Sequence, residues 1–253
     1  MNTARREIFK RRRVLPEASG LLAIVVLAAL GAAAIHAQPQ KNKKNPPVKG
    51  ALVSDKGGFK ILLGGQLVGR EEFEIAPSGD AWLAHGTTEI HAPGAASSHV
   101  KSAFRLLPSG APQKYELFVE GERKAEATVD FENGVAKTTR KIGNAIPFQQ
   151  DVTFGAPMVA VLDNNLYHHY AILARIYDWN KRGAQTFPVL IPQDDMTPGV
   201  ITVEAGASEN VAGKSFETLK VTTADLEVHL FLDANHRLMR LEVPASKVVV
   251  TRE

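Results

Sequence analysis

The chain has 253 residues, a formal net charge of +3 and no cysteine. Without cysteine there is no disulfide framework, no thiolate-bound zinc and no thiol nucleophile, so stability must come from apolar burial. The positive charge is unevenly placed. Residues 1–37 carry six Lys or Arg against two Asp or Glu, residues 38–50 add four Lys, and residues 51–253 are left near −5. A mildly acidic body lacks the electrostatic footprint of a nucleic-acid binder, and no nucleic-acid partner is expected.

The amino terminus reads as an export signal. Arg5, Arg6, Lys10 and Arg11 to Arg13 form a basic head, and Leu21 to Ile35 is an uncharged apolar run. Ile35-His36-Ala37 then offers small or apolar residues at the −3 and −1 positions of a signal peptidase site. The run is shorter than the ~20 residues that a bilayer-spanning helix needs. Cleavage after Ala37 is the expectation, an uncleaved anchor being the alternative and the sole expected link to a membrane. The protein is expected to be exported, periplasmic or extracellular. Arg5-Arg6-Glu7-Ile8-Phe9-Lys10 resembles a twin-arginine signal, departing from it at Ala4 and at Ile8-Phe9. That route and ordinary unfolded-chain export both stay open. Residues 38–50 (QPQKNKKNPPVKG) form a basic, proline-containing linker, and residues 51–253 form the single folded domain.

From Ala51 onward the pattern is of short strands broken by turn residues. Phe59, Ile61 and Leu63 alternate, Gly64-Gly65 interrupts, and Leu67, Phe73 and Ile75 resume with Gly69 and Glu71 between them. A three-residue loop, Gly64-Gly65-Gln66, would pair Leu63 with Leu67 and Ile61 with Gly69 and put both apolar rows on one face. Strands follow at 81–91, 98–107, 113–119, 123–131 and 135–142, the last two joined by Asn133-Gly134, a strong hairpin signal.

One helix is expected, capped by Asp163 and running from Asn164 to Trp179. Leu166, Tyr170, Leu173 and Tyr177 make one apolar stripe, with His169, Ile172, Ile176 and Trp179 beside it and Gly183 as the closing cap. So wide an apolar arc must be covered, and a curved sheet would cover it. Strands return at 184–191, 200–204, 216–222, 226–232, 238–243 and 247–251. The fold class is therefore all-β, mainly antiparallel, an open barrel or strongly curved sheet with one covering α-helix.

Candidate chemistry is sparse. Glu89 and His91 lie on one face of a strand at a spacing that could share a metal, although a solvated polar face explains them too. In His168-His169 the two rings diverge, His169 leaning to the apolar stripe and His168 to the polar side. Asp194-Asp195 sits in a proline-bounded loop with no definable partner carboxylate. There is no G-x-S-x-G elbow, H-E-x-x-H, Walker loop or G-x-G-x-x-G, and no cofactor is expected.

The opening hairpin, Phe59 to Phe73, and the closing one, Phe231 to Pro244, resemble those of uncharacterised bacterial envelope β-domain proteins, similar in outline to outer-membrane lipoprotein carriers. Leu162 to Tyr170 and Phe187 to Gln193 resemble a non-catalytic domain found ahead of secreted hydrolases. The resemblance implies a half-barrel that holds acyl chains under a helix and assigns no functional residue. The function expected is that of a non-enzymatic envelope domain binding a lipid, another apolar small molecule, or an envelope protein. Leu166, Tyr170, Leu173 and Tyr177 would line any cavity. A filled-core interaction module, or a hydrolase or metal-dependent enzyme, are the alternatives. An apolar void, a filled core and a polar cluster beneath the helix would separate the three.

Overall fold

The computed structural model describes residues 51–122, 124–193 and 198–253. The export signal, the linker and Asp194-Asp195 lie outside them. In chain order the strands are β1 (Asp55–Leu63), β2 (Gln66–Ser78), β3 (Ala81–Ile90), β4 (Ser98–Leu106), β5 (Pro112–Glu120), β6 (Ala125–Glu132), β7 (Val135–Ile142), β8 (Phe148–Thr153) and β9 (Ala160–Val161). The helix α1 (His168–Ile176) follows, then β10 (Gln185–Leu190), β11 (Gly199–Ala205), β12 (Glu209–Val211), β13 (Lys214–Thr222), β14 (Glu227–Leu232), β15 (Leu238–Val243) and β16 (Val248–Arg252).

The strands form a sheet that does not close, in the order β8-β7-β6-β5-β4-β3-β2-β1-β16-β15-β14-β13-β11-β10-β9, with β12 paired to β13. Two antiparallel runs are joined where β1 pairs with β16, Phe59 opposite Arg252 and Leu63 opposite Val248. β9 and β10 are parallel. Parallel neighbours need a crossover, and α1 is that crossover, which is why the all-β chain contains a helix here.

One face of the sheet is mostly apolar, with a few buried polar residues set into it. Phe59, Ile61, Phe73, Ile75, Ala84, Phe104, Tyr115 and Val129 are buried along it, as the two-residue period requires. This face is where α1 lies, seven of its nine residues being buried.

Two expectations change. The first hairpin turns on two residues, with Leu63 opposite Gln66, and a bulge between Ile61 and Leu62 leaves Val68 as the extra residue before Ile61 meets Gly69. Gly64 and Gly65 have φ of 57° and 87°, the left-handed pair that a tight primed turn demands. The bulge then restores the apolar register that a longer loop would have supplied. The Asn133-Gly134 turn forms as expected, Glu132 opposite Val135.

The helix is shorter than its periodicity suggests. It spans His168–Ile176, its N-cap is Tyr167, and no side chain of its own segment caps it. Asp163 is drawn away by other partners. Tyr177 is already extended, so Tyr177 and Trp179 reach the core outside helical geometry, the Trp179 indole N–H donating to the Ala174 carbonyl at 3.0 Å.

Candidate functional site

The helix enters the sheet through a chain of polar groups. In strand register Glu71 lies opposite Thr88, Gly86 opposite Ser102, and Phe104 opposite Tyr115, so β2, β4 and β5 bring Glu71, Ser102 and Tyr115 onto the apolar face. All three are buried, as are Asp163, His168 and His169. Such burial is tolerated when each polar group finds a partner.

Glu71 supplies the cap that the helix segment lacks. Its Oε2 accepts the Tyr167 backbone N–H at 2.8 Å, and its Oε1 accepts the His168 N–H at 3.4 Å and faces His168 Nδ1 at 2.5 Å. A carboxylate at a helix N-terminus also meets the positive end of the backbone dipole. His168 Nε2 lies 3.4 Å from Ser102 Oγ. Gly86 makes room for this ring, since a Cβ there would sit 2.5 Å from His168 Cε1. The ring stacks on Phe73, which stacks on Phe59.

A second group anchors the segment before the helix. The Tyr115 hydroxyl donates to Asp163 Oδ2 at 2.5 Å, and Asp163 Oδ1 accepts the Gln193 N–H at 2.8 Å. Burial pushes the Tyr115 hydroxyl far above an ordinary phenol, with Asp163 adding to the rise and Ser102 opposing it as a donor. The Asp163 N–H donates to His169 Nδ1 at 3.2 Å, which places the neutral ring's proton on Nε2.

Burial holds the His169 imidazole well below its ordinary 6.5, and the neighbouring His168 ring adds to that. Above pH 6.5 His169 is neutral in both folded and unfolded states. Below it the unfolded chain takes a proton that the folded one refuses, so stability falls with pH until the folded ring titrates. Asp233 and Glu227, held below ordinary carboxyl values, titrate at lower pH than this window. The thermal midpoint is expected to drop between pH 7 and pH 5, with a slope contribution of at most ~1.4 kcal/mol per pH unit from this ring. A His169→Gln variant is expected to show a shallower drop. An unchanged slope would mean that His169 does not carry the effect.

Serine, imidazole and carboxylate stand in the order of a nucleophile, its base and an orienting acid. The surroundings do not match that chemistry. Ser102 lies mid-strand between Gly86 and Leu117, with 6% of its surface exposed. Its neighbours' amides are engaged in the sheet ladder, which leaves no obvious donors for a developing oxyanion. The cavity beneath α1 measures about 10 Å³ and is lined by Phe104, Leu106, His169, Leu173 and Ile176 among others, not by Ser102.

The residues singled out in the sequence fall as follows. Leu166, Tyr170, Leu173 and Tyr177 are brought together, at 0%, 4%, 1% and 2% exposure, as packed core side chains. The Tyr177 hydroxyl donates to the Gly183 carbonyl and accepts the Ala205 N–H, so Gly183 closes a side-chain contact and does not cap the helix. Glu89 points outward and pairs with His99 at 3.6 Å, while His91 lies beyond the end of β3 and bonds Ser97 Oγ at 2.8 Å. Among the described residues no three His, Cys, Asp or Glu side chains cluster as a metal site requires. His168, placed on the polar side by sequence, is fully buried because Glu71 receives it.

Glu71, Ser102 and Tyr115 were not singled out by sequence reasoning. Glu71 carries a signal all the same: it shares strand parity with Phe73 and Ile75, so it is an acid on the buried face. Ser102 shares parity with Val100 and Phe104 in the same way, but a serine there is commonplace.

The sequence matches no protein-family model and no curated protein. The fold is similar to the crystal structure of the β-barrel-like protein of domain of unknown function DUF1849 from Brucella abortus, with a TM-score of 0.52 and 11% identity over 80% of this chain and 95% of that one. A DUF1089 family protein from Pseudomonas aeruginosa superposes with a TM-score of 0.44 and 11% identity over 71% of this chain and 90% of that one. At such identities the likeness speaks to architecture alone: this chain carries a β-barrel-like, mainly antiparallel fold similar to that of bacterial β-domain proteins of unknown function.

Proposed function

We propose that this chain is an exported, non-enzymatic envelope domain that acts through its surface, binding a protein partner, with its interior serving as core. The observation that carries this reading is the space beneath the helix. A cavity of about 10 Å³ has room for no more than a water molecule, whereas ligand pockets run to ~300–1,000 Å³. An acyl chain would have to displace Leu166, Tyr170, Leu173 and Tyr177, all of them buried.

The outside offers more. β8 ends the sheet order, and no strand among the described residues pairs with its outer edge. Its sequence, FQQDVT, has one charge and no proline, and Ile142, Ile146 and Phe148 beside it are 41%, 91% and 57% exposed. An unguarded edge with apolar side chains next to it is the kind of surface to which an extended segment of another protein adds.

A hydrolase is the second reading, favoured by the Ser102–His168–Glu71 alignment. One experiment separates these readings: native mass spectrometry of the full chain expressed in an exporting host, with and without a fluorophosphonate probe. The expected result is a bare mass beginning at Gln38, unchanged by the probe. A reproducible lipid adduct would replace the interaction reading with that of a carrier. A covalent adduct on Ser102 would replace it with that of a hydrolase, and retention of residues 1–37 would overturn cleaved export.

A further inference from the structure

The carboxyl-terminal end of α1 carries a charge that its neighbours leave unbalanced. Arg175 sits in the last turn, half-buried, and donates through Nη1 to the Asn235 carbonyl. Its charged surroundings are Asp55, Asp233, Arg237 and Arg252. Both acids are already committed. Asp55 takes Arg252 with both oxygens, at 2.6 and 3.2 Å. Asp233 takes Arg237 Nε with Oδ2 at 2.8 Å and the Asn235 and Arg237 backbone N–H groups with Oδ1, each at 2.9 Å. Three guanidinium groups thus share two carboxylates, and among the described residues Arg175 forms no ion pair. Placement beside a helix C-terminus accounts for part of its position. It does not supply a counter-ion, and burial pushes its guanidinium down from its ordinary value.

The free side of this charge borders an open groove of about 410 Å³ lined by Val53, Ser54, Arg175, Asn235, His236 and Arg237. The His236 ring stands on its wall, stacked on the Trp179 indole at 3.9 Å and 6°, with Glu217 Oε2 2.8 Å from Nε2. Among the described residues no carboxylate lines the groove.

We propose that this groove is an oxyanion-binding site, taking a phosphate or carboxylate group on the Arg175 guanidinium. The planar fork suits either group through paired N–H bonds, and a partly desolvated cation without a counter-ion gains most from one. The chemistry is shared by a free anion and by an anionic lipid headgroup, and the test distinguishes the two sources.

Trp179 is the reporter, because the chain has two tryptophans and a Trp82→Phe background isolates it. Inorganic phosphate is titrated against its fluorescence, and co-sedimentation is measured with phosphatidylglycerol and phosphatidylcholine vesicles. Saturable binding of phosphate at millimolar concentration is expected, weakened at least about tenfold in Arg175→Met, which keeps the packed stem. Ser54→Glu, which places an acid at an exposed wall position, is expected to abolish binding with the thermal midpoint unchanged, and it serves if Arg175→Met folds poorly. Binding confined to phosphatidylglycerol vesicles and lost in the same variants would assign the site to a headgroup. No saturable binding to either probe, or binding that survives both substitutions, would overturn the proposal.

Discussion

Replacing Glu71 by alanine is expected to cost about 3–5 kcal/mol of stability, since each buried donor left without its acceptor costs about 1–3 kcal/mol. Three donors lose their acceptor at once: the Tyr167 and His168 backbone N–H groups and His168 Nδ1. None has a route to solvent, since Tyr167 and His168 are buried. The helix has nine residues and no cap of its own, too short to hold together in water without its contacts. For a domain of this size the loss amounts to a fall of roughly 10 °C in thermal midpoint. Glu71→Gln keeps an acceptor for the Tyr167 N–H and should fall between wild type and Glu71→Ala. A Glu71→Ala protein within about 1 kcal/mol of wild type would show that packing alone seats the helix.

This carboxylate also marks where the sequence ceases to be informative. Strands whose faces differ, such as β2 to β5 and β13 to β16, announce themselves by alternation, and turns such as Asn133-Gly134 by residue types that accept the left-handed φ found there. Strands missed by sequence reasoning lack that contrast. β8 is largely exposed and has only Phe148 and Val152 as large apolar residues, β9 has two residues, and β12 has three, none of them buried. The apolar rhythm overextends the helix because Tyr177 and Trp179 continue it while leaving helical geometry. Asp163 has the composition of a cap, but its oxygens go to Tyr115 and Gln193, 48 and 30 residues away in sequence. Parity alone put Glu71 on the buried face. Its pairing with His168, 97 residues away, depends on the β9–β10 crossover that carries α1 across the sheet, and no local pattern encodes that.

Leu173→Ala is expected to cost about 2–5 kcal/mol, the range for a leucine removed from a close-packed interior. Leu173 is 1% exposed and already borders the small cavity beneath the helix, so its truncation would enlarge an existing void among Phe104, Leu106 and Val161. The surrounding sheet is pinned by strand pairing on both sides of Phe104, which limits how far the wall can collapse. An apolar void of that kind stays dry and admits small hydrocarbons. Benzene is therefore expected to raise the thermal midpoint of Leu173→Ala and to leave that of the wild type unchanged. The outcome separates core from binding site. If Leu173 lined a ligand cavity in the unliganded protein, it would have few contacts to lose, the substitution would cost little, and an apolar ligand would stabilise the wild type itself by mass action. A large loss rescued only in the variant would mean that the Leu166, Tyr170, Leu173 and Tyr177 row is there to hold the helix against the sheet, and that recognition takes place on the outside of the fold.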